Sequence, residues 1–413
     1  MNDDDAPRRG DEARDNDSAL IAMLGSGSFI EDPYPVYQEF LRRPGWRTPS
    51  GYLVFSRYAD VMSILRDPAV FGQETRPKPS FHVMDPPDHT RLRRLVSRAF
   101  TPRAVEKQRA AVAEMVNDLL HEVVGAGTME LMGDFASRLP AMVMAHLLNI
   151  PLDDGRRWQA YLDAMMQQRG LAHYLESEPG DRAARDEIRT KMTRQQADFL
   201  AGLIRDRQGG SGGDIVSTLL NAREGDESLT NEEVLITLLL LLGAGMHTTA
   251  GQIGNVVRAL LEHPDQLRQL AADPGLLDNA VEEAFRFDGA LQAEHRLVRK
   301  SGTVGGIPVS PGERVLIVNA AANRDPAVFE NPDEFDIRRA NARDHLTFGW
   351  GIHRCLGAPL AKLEIHTAIE QLLLSLPDLR IADAPRLQPY DRLRGLERLA
   401  LAWTPQAAVP VPA

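Results

Sequence analysis

Apolar and polar residues alternate with a helical period over most of this chain, and the breaks in that period mark its elements. Pro35 to Arg43 reads as a short helix. Trp46–Thr48 and Tyr52–Phe55 flank Pro49-Ser50-Gly51, a hairpin signal. Arg57 to Arg66 is helical and closes at Asp67-Pro68; residues 71–84 are irregular and proline-rich. Asp85-Pro86-Pro87-Asp88 then opens a helix over His89–Phe100 with a core stripe of Leu92, Leu95, Val96 and Ala99. His89 and Arg93 stand together at its edge, and Arg91, Arg94 and Arg98 lie on the opposite side. Amphipathic helices continue through 103–124 and 134–148, and the pattern loosens from Met165 to Arg194 around Pro179-Gly180. Gly209–Gly213 is a flexible loop, too short for a domain linker.

Thr230-Asn231-Glu232-Glu233 is a capping box that opens the longest helix, expected to run to His263 before Pro264. Such a helix spans about 50 Å at about 1.5 Å per residue. Its Val234–Leu242 stretch is apolar on every side, which predicts a passage through the interior. A further helix over 276–287 carries Glu283 and Arg286 at i,i+3, and Arg296–Val318 alternates short β-like runs with Gly and Pro turns. The expected architecture is mainly α with small antiparallel β-sheets.

Composition narrows the class. The 413 residues are 43% hydrophobic with a formal net charge of −11, which fits a soluble cytoplasmic protein and argues against nucleic-acid binding. Residues 1–18 are charged, have no apolar signal core, and read as a disordered leader. A single domain is expected over 19–405, followed by a flexible tail at 406–413. The longest apolar run, Val234 to Gly245, is too short to span a bilayer, so no membrane anchor is expected. One cysteine excludes an intramolecular disulfide and a cysteine-based zinc cluster.

That cysteine lies in Phe348-Gly349-Trp350-Gly351-Ile352-His353-Arg354-Cys355-Leu356-Gly357, just before a helix opening at Ala358-Pro359. Backbone N–H groups at a helix N-terminus favour a thiolate there. A small buried apolar side chain is the alternative.

The motifs in order resemble those of the bacterial soluble (class I) cytochrome P450 family over about residues 20 to 403. Residues 348–357 fit F-G-x-G-x-H-x-C-x-G throughout, Glu283 and Arg286 fit E-x-x-R, and Ala244–Thr249 resembles A-G-x-x-T-T. The resemblance implies the cytochrome P450 fold, with the long central helix over haem b (iron protoporphyrin IX). It implies that Cys355 is the axial thiolate, with Phe348 packed near the sulfur and Gly349 letting backbone pass close to the macrocycle. His89, Arg93, Arg296 and His353 match propionate partners, and Glu283, Arg286 and Arg339 match a structural ion-pair set.

On the central helix, Ala244 and Gly245 would keep space above the haem, and Thr248 would keep the alcohol that relays protons. His247 stands where the family usually has an acid, and histidine can also relay protons. The segment between Phe71 and His89 looks shorter than in the family, which suggests an open pocket. No G-x-G-x-x-G is present, so electrons are expected from a ferredoxin and its reductase, docking on Arg354, Lys362 and the Arg91/Arg94/Arg98 face. The implied function is monooxygenase-type oxidation of a small organic substrate in natural-product metabolism by a monomeric enzyme. Alternatives are an atypical oxidation of a bulky peptide-like or carrier-bound substrate, and a non-catalytic haem protein that binds a gas or ligand.

Overall fold

The computed structural model describes residues 27–43, 45–48, 51–73, 80–151, 182–388 and 393–405. The expected leader, the expected tail and most of the loosened Met165–Arg194 stretch lie outside the described residues. The helices that frame the site are α1 (Tyr34–Arg42), α2 (Tyr58–Arg66), α3 (Asp88–Val96), α4 (Arg109–Val123) and α5 (Arg138–Leu148). They are followed by α6 (Arg182–Arg207), α7 (Asn231–Glu262), α8 (Leu277–Phe287) and α9 (Ala358–Ser375).

Helix α7 is the axis. Thr230 and Glu233 form the expected capping box: the Glu233 N–H donates to Thr230 Oγ1 at 3.2 Å, and the Thr230 N–H to Glu233 Oε2 at 2.8 Å. Helices α5, α6, α8 and α9 all pack on it, and α9 also packs on α4. By length and composition alone α7 could cross a membrane. Here it is a core helix, with Val234, Leu238, Leu242, Met246, Ile253 and Val256 in the main apolar cluster. Its Val234–Leu242 half is not enclosed all round, because Leu239, Leu240 and Leu241 keep accessible surface.

Two expected helices are broken. Residues 103–124 divide into Pro102–Glu106 and α4, and 134–148 begins with a π-type turn, Met132–Ala136, before α5. The expected helix to Phe100 tightens into a 3₁₀ turn from Ser97.

The main sheet runs β1 (Trp46–Arg47), β2 (Tyr52–Phe55), β5 (Arg314–Ile317), β4 (Glu294–Val298) and β3 (Phe71–Gly72) in spatial order. Its ladders are antiparallel except β2 against β5, which is parallel. A parallel pair needs a crossover, and here the helical body of the chain intervenes between the two strands. This sheet carries Arg296 on β4 toward the cysteine loop.

Candidate active site

The cysteine loop is pinned from both ends. Upstream, the Leu346 N–H donates to Asn323 Oδ1 at 2.6 Å, and the Thr347 hydroxyl donates to the Phe285 carbonyl at 2.6 Å. Gly349 and Gly351 adopt φ of +64° and +70°, a region that strains L side chains. A Cβ on Gly351 would lie 2.5 Å from the Leu65 carbonyl oxygen of α2, so only glycine passes there. The Cys355 N–H closes the loop on the Phe348 carbonyl at 2.8 Å. Phe348 packs against Phe285 at 4.7 Å between ring centroids.

Cys355 keeps accessible surface, yet burial pushes its thiol pKa up. The sulfur is thus accessible while densely surrounded by protein. The Gly357 and Ala358 N–H groups act as the sequence predicts, lowering the value, but the loss of hydration outweighs them. Left to these groups alone, the sulfur stays protonated.

Beside it stands a set of nitrogen-bearing side chains from α3, β4 and the loop. The His89 and His353 rings lie 4.4 Å apart, and none of their four nitrogens has a hydrogen-bond partner of good geometry. Burial, then His89 and Arg296, hold the His353 pKa down at about 3, while burial and Arg93 lower that of His89. Arg93 donates to the Arg354 carbonyl, and its pKa is lowered by burial and raised by Cys355. Arg296 is 5% exposed and paired to Glu294 at 2.7 Å, so one of the expected propionate partners already has a carboxylate.

A haem fits this donor set. Buried imidazole nitrogens, the buried Arg296 and the partly exposed Arg93 suit a group bearing two carboxylates, and an accessible sulfur beside them suits its iron.

On α7, Ala244 is exposed and Gly245 and Thr248 are partly so, in the middle of an otherwise buried helix. The Thr248 hydroxyl donates back to the Ala244 carbonyl at 2.7 Å. His247 falls on the other side and is 7% exposed. A Cβ on Gly245 would point toward Met144 of α5, at an ordinary contact distance of 3.4 Å from its Sδ.

Glu283 and Arg286 of α8 are fully buried and form a two-pronged pair at 2.7 and 2.8 Å. Arg339 completes it with Nε at 3.0 and 3.1 Å from the two carboxylate oxygens, and the Asp336 N–H adds a bond at 2.9 Å. The neighbouring Arg338 turns outward to Gln269.

The expected cationic docking face is largely neutralised by the protein itself. Arg94 meets Glu224 and Glu227, Arg98 meets Glu224, and Arg91 meets Glu233. Glu224 and Glu227 belong to a two-stranded hairpin, Arg223–Glu224 with Glu227–Ser228, that sequence reading passed over. Two acids flanking Gly225-Asp226 were the available signal. Lys362 is likewise bound to Glu282 at 2.6 Å.

Relatives match along nearly the whole length. The "Cytochrome P450 monooxygenase PikC" of Streptomyces venezuelae is 38% identical over 93% of this chain and 94% of its own. The "Biotin biosynthesis cytochrome P450" of Bacillus subtilis is 34% identical over 93% and 99%. Among solved structures, P450BioI bound to an acyl carrier protein ligated to hexadec-9Z-enoic acid superposes with a TM-score of 0.83 at 33% identity, over 91% and 99%. The profile described as Cytochrome P450 matches residues 55–377. The whole-length similarity and the profile match agree with the cysteine loop and long core helix described above, and the chain belongs to the cytochrome P450 family.

Proposed function

We propose that residues 19–405 form one cytoplasmic, ferredoxin-dependent haem b monooxygenase that oxidises a small organic molecule in a biosynthetic pathway. The observation that carries the reading is the accessible Cys355 sulfur within the electrostatic reach of Arg93, next to the His89 and His353 rings, whose four nitrogens lack a hydrogen-bond partner of good geometry. When bound, the haem supplies dioxygen activation for insertion of one oxygen atom, as thiolate ligation favours. The b form is supported by the single cysteine: thioether attachment takes two thiols, and the one present is the proposed ligand.

His89, Arg93 and His353 would hold the propionates. Arg296 would join them by sharing its charge with Glu294, and binding of an anion would raise both histidine pKa values. Phe348 shields the sulfur, and the Gly349 turn brings the backbone close. Ala244 leaves room on the accessible face of α7. Thr248 Oγ1 can move its hydrogen from the Ala244 carbonyl toward that face and so hold a proton there. The buried placement of His247 supports packing as its main role, and Gly245, partly accessible beside Ala244, would help keep the helix open.

Biosynthetic work is supported by the relative named for biotin biosynthesis. A carrier-bound substrate is the second reading, supported by the neighbour solved with an acyl carrier protein. The segment expected to be clipped falls partly on residues 74–79, outside the described residues, so pocket openness adds no support.

The ferrous–CO spectrum tests the haem-thiolate core, and a missing red-shifted Soret band would sink it. Compounds, offered free and carrier-linked, can then be screened for water displacement from ferric haem. Mass analysis of turnover with a ferredoxin system identifies the product, and a preference for carrier-linked compounds selects the second reading.

A further inference from the structure

A second buried charge cluster adjoins the cysteine loop. Glu282, next to Glu283 on α8, accepts a hydrogen bond from Lys362 Nζ of α9 at 2.6 Å and another from His345 Nε2 at 3.1 Å. Burial alone would raise the Glu282 pKa, but the bonds from His345 and Lys362 bring it down to about 2, so the carboxylate is ionised at neutral pH. The Thr347 N–H donates to His345 Nδ1 at 3.2 Å, which leaves the ring proton on Nε2, facing Glu282. Burial lowers the His345 pKa and keeps that ring neutral. The cluster therefore holds one negative and one positive charge, joined directly.

Aromatic rings connect this pair to the sulfur. His345 stacks on Phe285 at 5.4 Å, and Phe348 leans on both, at 5.7 and 4.7 Å. Lys362 Nζ stands 5.4 Å from the Phe348 ring centroid and 6.0 Å from that of Phe285. Phe348 in turn receives the Cys355 N–H. Among charged groups, Arg93 and Arg354 act most on the sulfur, and Lys362 is not one of them.

We propose that Glu282, Lys362 and His345 are positioning residues for Cys355, a balanced charge pair clamped on Phe348 that fixes the sulfur while adding almost no net field at the iron. The proposal rests on the haem-thiolate reading above. Removing one member would leave the other as an uncompensated charge, which salt would screen little at the buried Glu282 and more at the partly exposed Lys362. A lone carboxylate disfavours the electron-richer ferrous state, and a lone ammonium favours it.

The test is a spectroelectrochemical titration of haem-loaded protein, after the ferrous–CO band of the parent has been recorded. Lys362→Met is expected to lower the reduction potential and Glu282→Gln to raise it. The double variant should return to the parent value, and Lys362→Arg should stay near it. Single variants that move the potential in the same direction, or not at all, would overturn the proposal while leaving the haem-thiolate reading intact. If Glu282→Gln does not take up haem, the comparison at position 362 still decides: equal potentials for Met and Arg overturn it. A parent without the thiolate-type band overturns the haem reading and this proposal together.

Discussion

The imidazoles of His89 and His353, one from α3 and one from the cysteine loop, meet at 4.4 Å with a 54° tilt. Two buried rings this close cannot both carry charge without an anion beside them. The His353 pKa is held at about 3 against an unfolded value of 6.5, so in haem-free protein the unfolded chain binds the extra proton between those values. The stabilisation is complete above about pH 6.5 and is lost as pH falls toward 3. We expect the urea midpoint of haem-free protein to drop on acidification through that window, and His353→Gln to flatten the slope. An unchanged slope would contradict the assignment.

Glu283 is the shared acceptor of two guanidiniums and a backbone N–H. Glu283→Ala would strand Arg286 and Arg339 in the core, at a cost of about 3–5 kcal/mol. The expected product is destabilised protein that purifies without haem, read from the haem-to-protein absorbance ratio and the melting temperature. A folded, fully haem-loaded variant would refute the role.

Gly351 takes a positive φ directly under the Leu65 carbonyl. Gly351→Ala should cost about 1–3 kcal/mol in backbone strain, with more for the clash. Because the strain falls inside the ligand loop, haem loading should suffer along with the melting temperature. Normal loading and melting would show that the loop gives way more readily than the geometry indicates.

Thr248 and His247 are adjacent, but only Thr248 reaches the accessible face of α7. Thr248→Val should reduce product formed per electron consumed by about a hundredfold, the low end for a lost proton relay. His247→Gln, which keeps size and polarity, should leave that coupling near the parent value. The reverse ranking, measured as product against reductant consumed, would assign the relay to the histidine.

What the sequence discloses depends on how far apart the partners are along it. The cysteine loop, the capping box of α7 and the Glu283/Arg286 pair are contiguous or i,i+3 patterns, and the structure places them as the pattern predicts. Arg339 joins this pair and the neighbouring Arg338 does not, because Arg338 points to solvent and Gln269. The Glu282–His345–Lys362 cluster left no signal, since its members come from three separate elements and meet only through tertiary packing. Gly245 is legible only in part for a related reason. A glycine in a motif shows that a side chain is missing, but not in which direction, and here the direction is toward Met144. The breaks at 107–108 and 132–136 were missed because the apolar period continues across them.

The hairpin carboxylates on α3 have a consequence for how electrons arrive. An acidic carrier that seeks Arg94 and Arg98 finds Glu224 and Glu227 already there, supplied by the same molecule and tethered at high local concentration. Encounter is then a substitution, with one set of acids leaving as the other enters. For the proposed electron carrier, the six-residue hairpin would act as an internal competitor for that face.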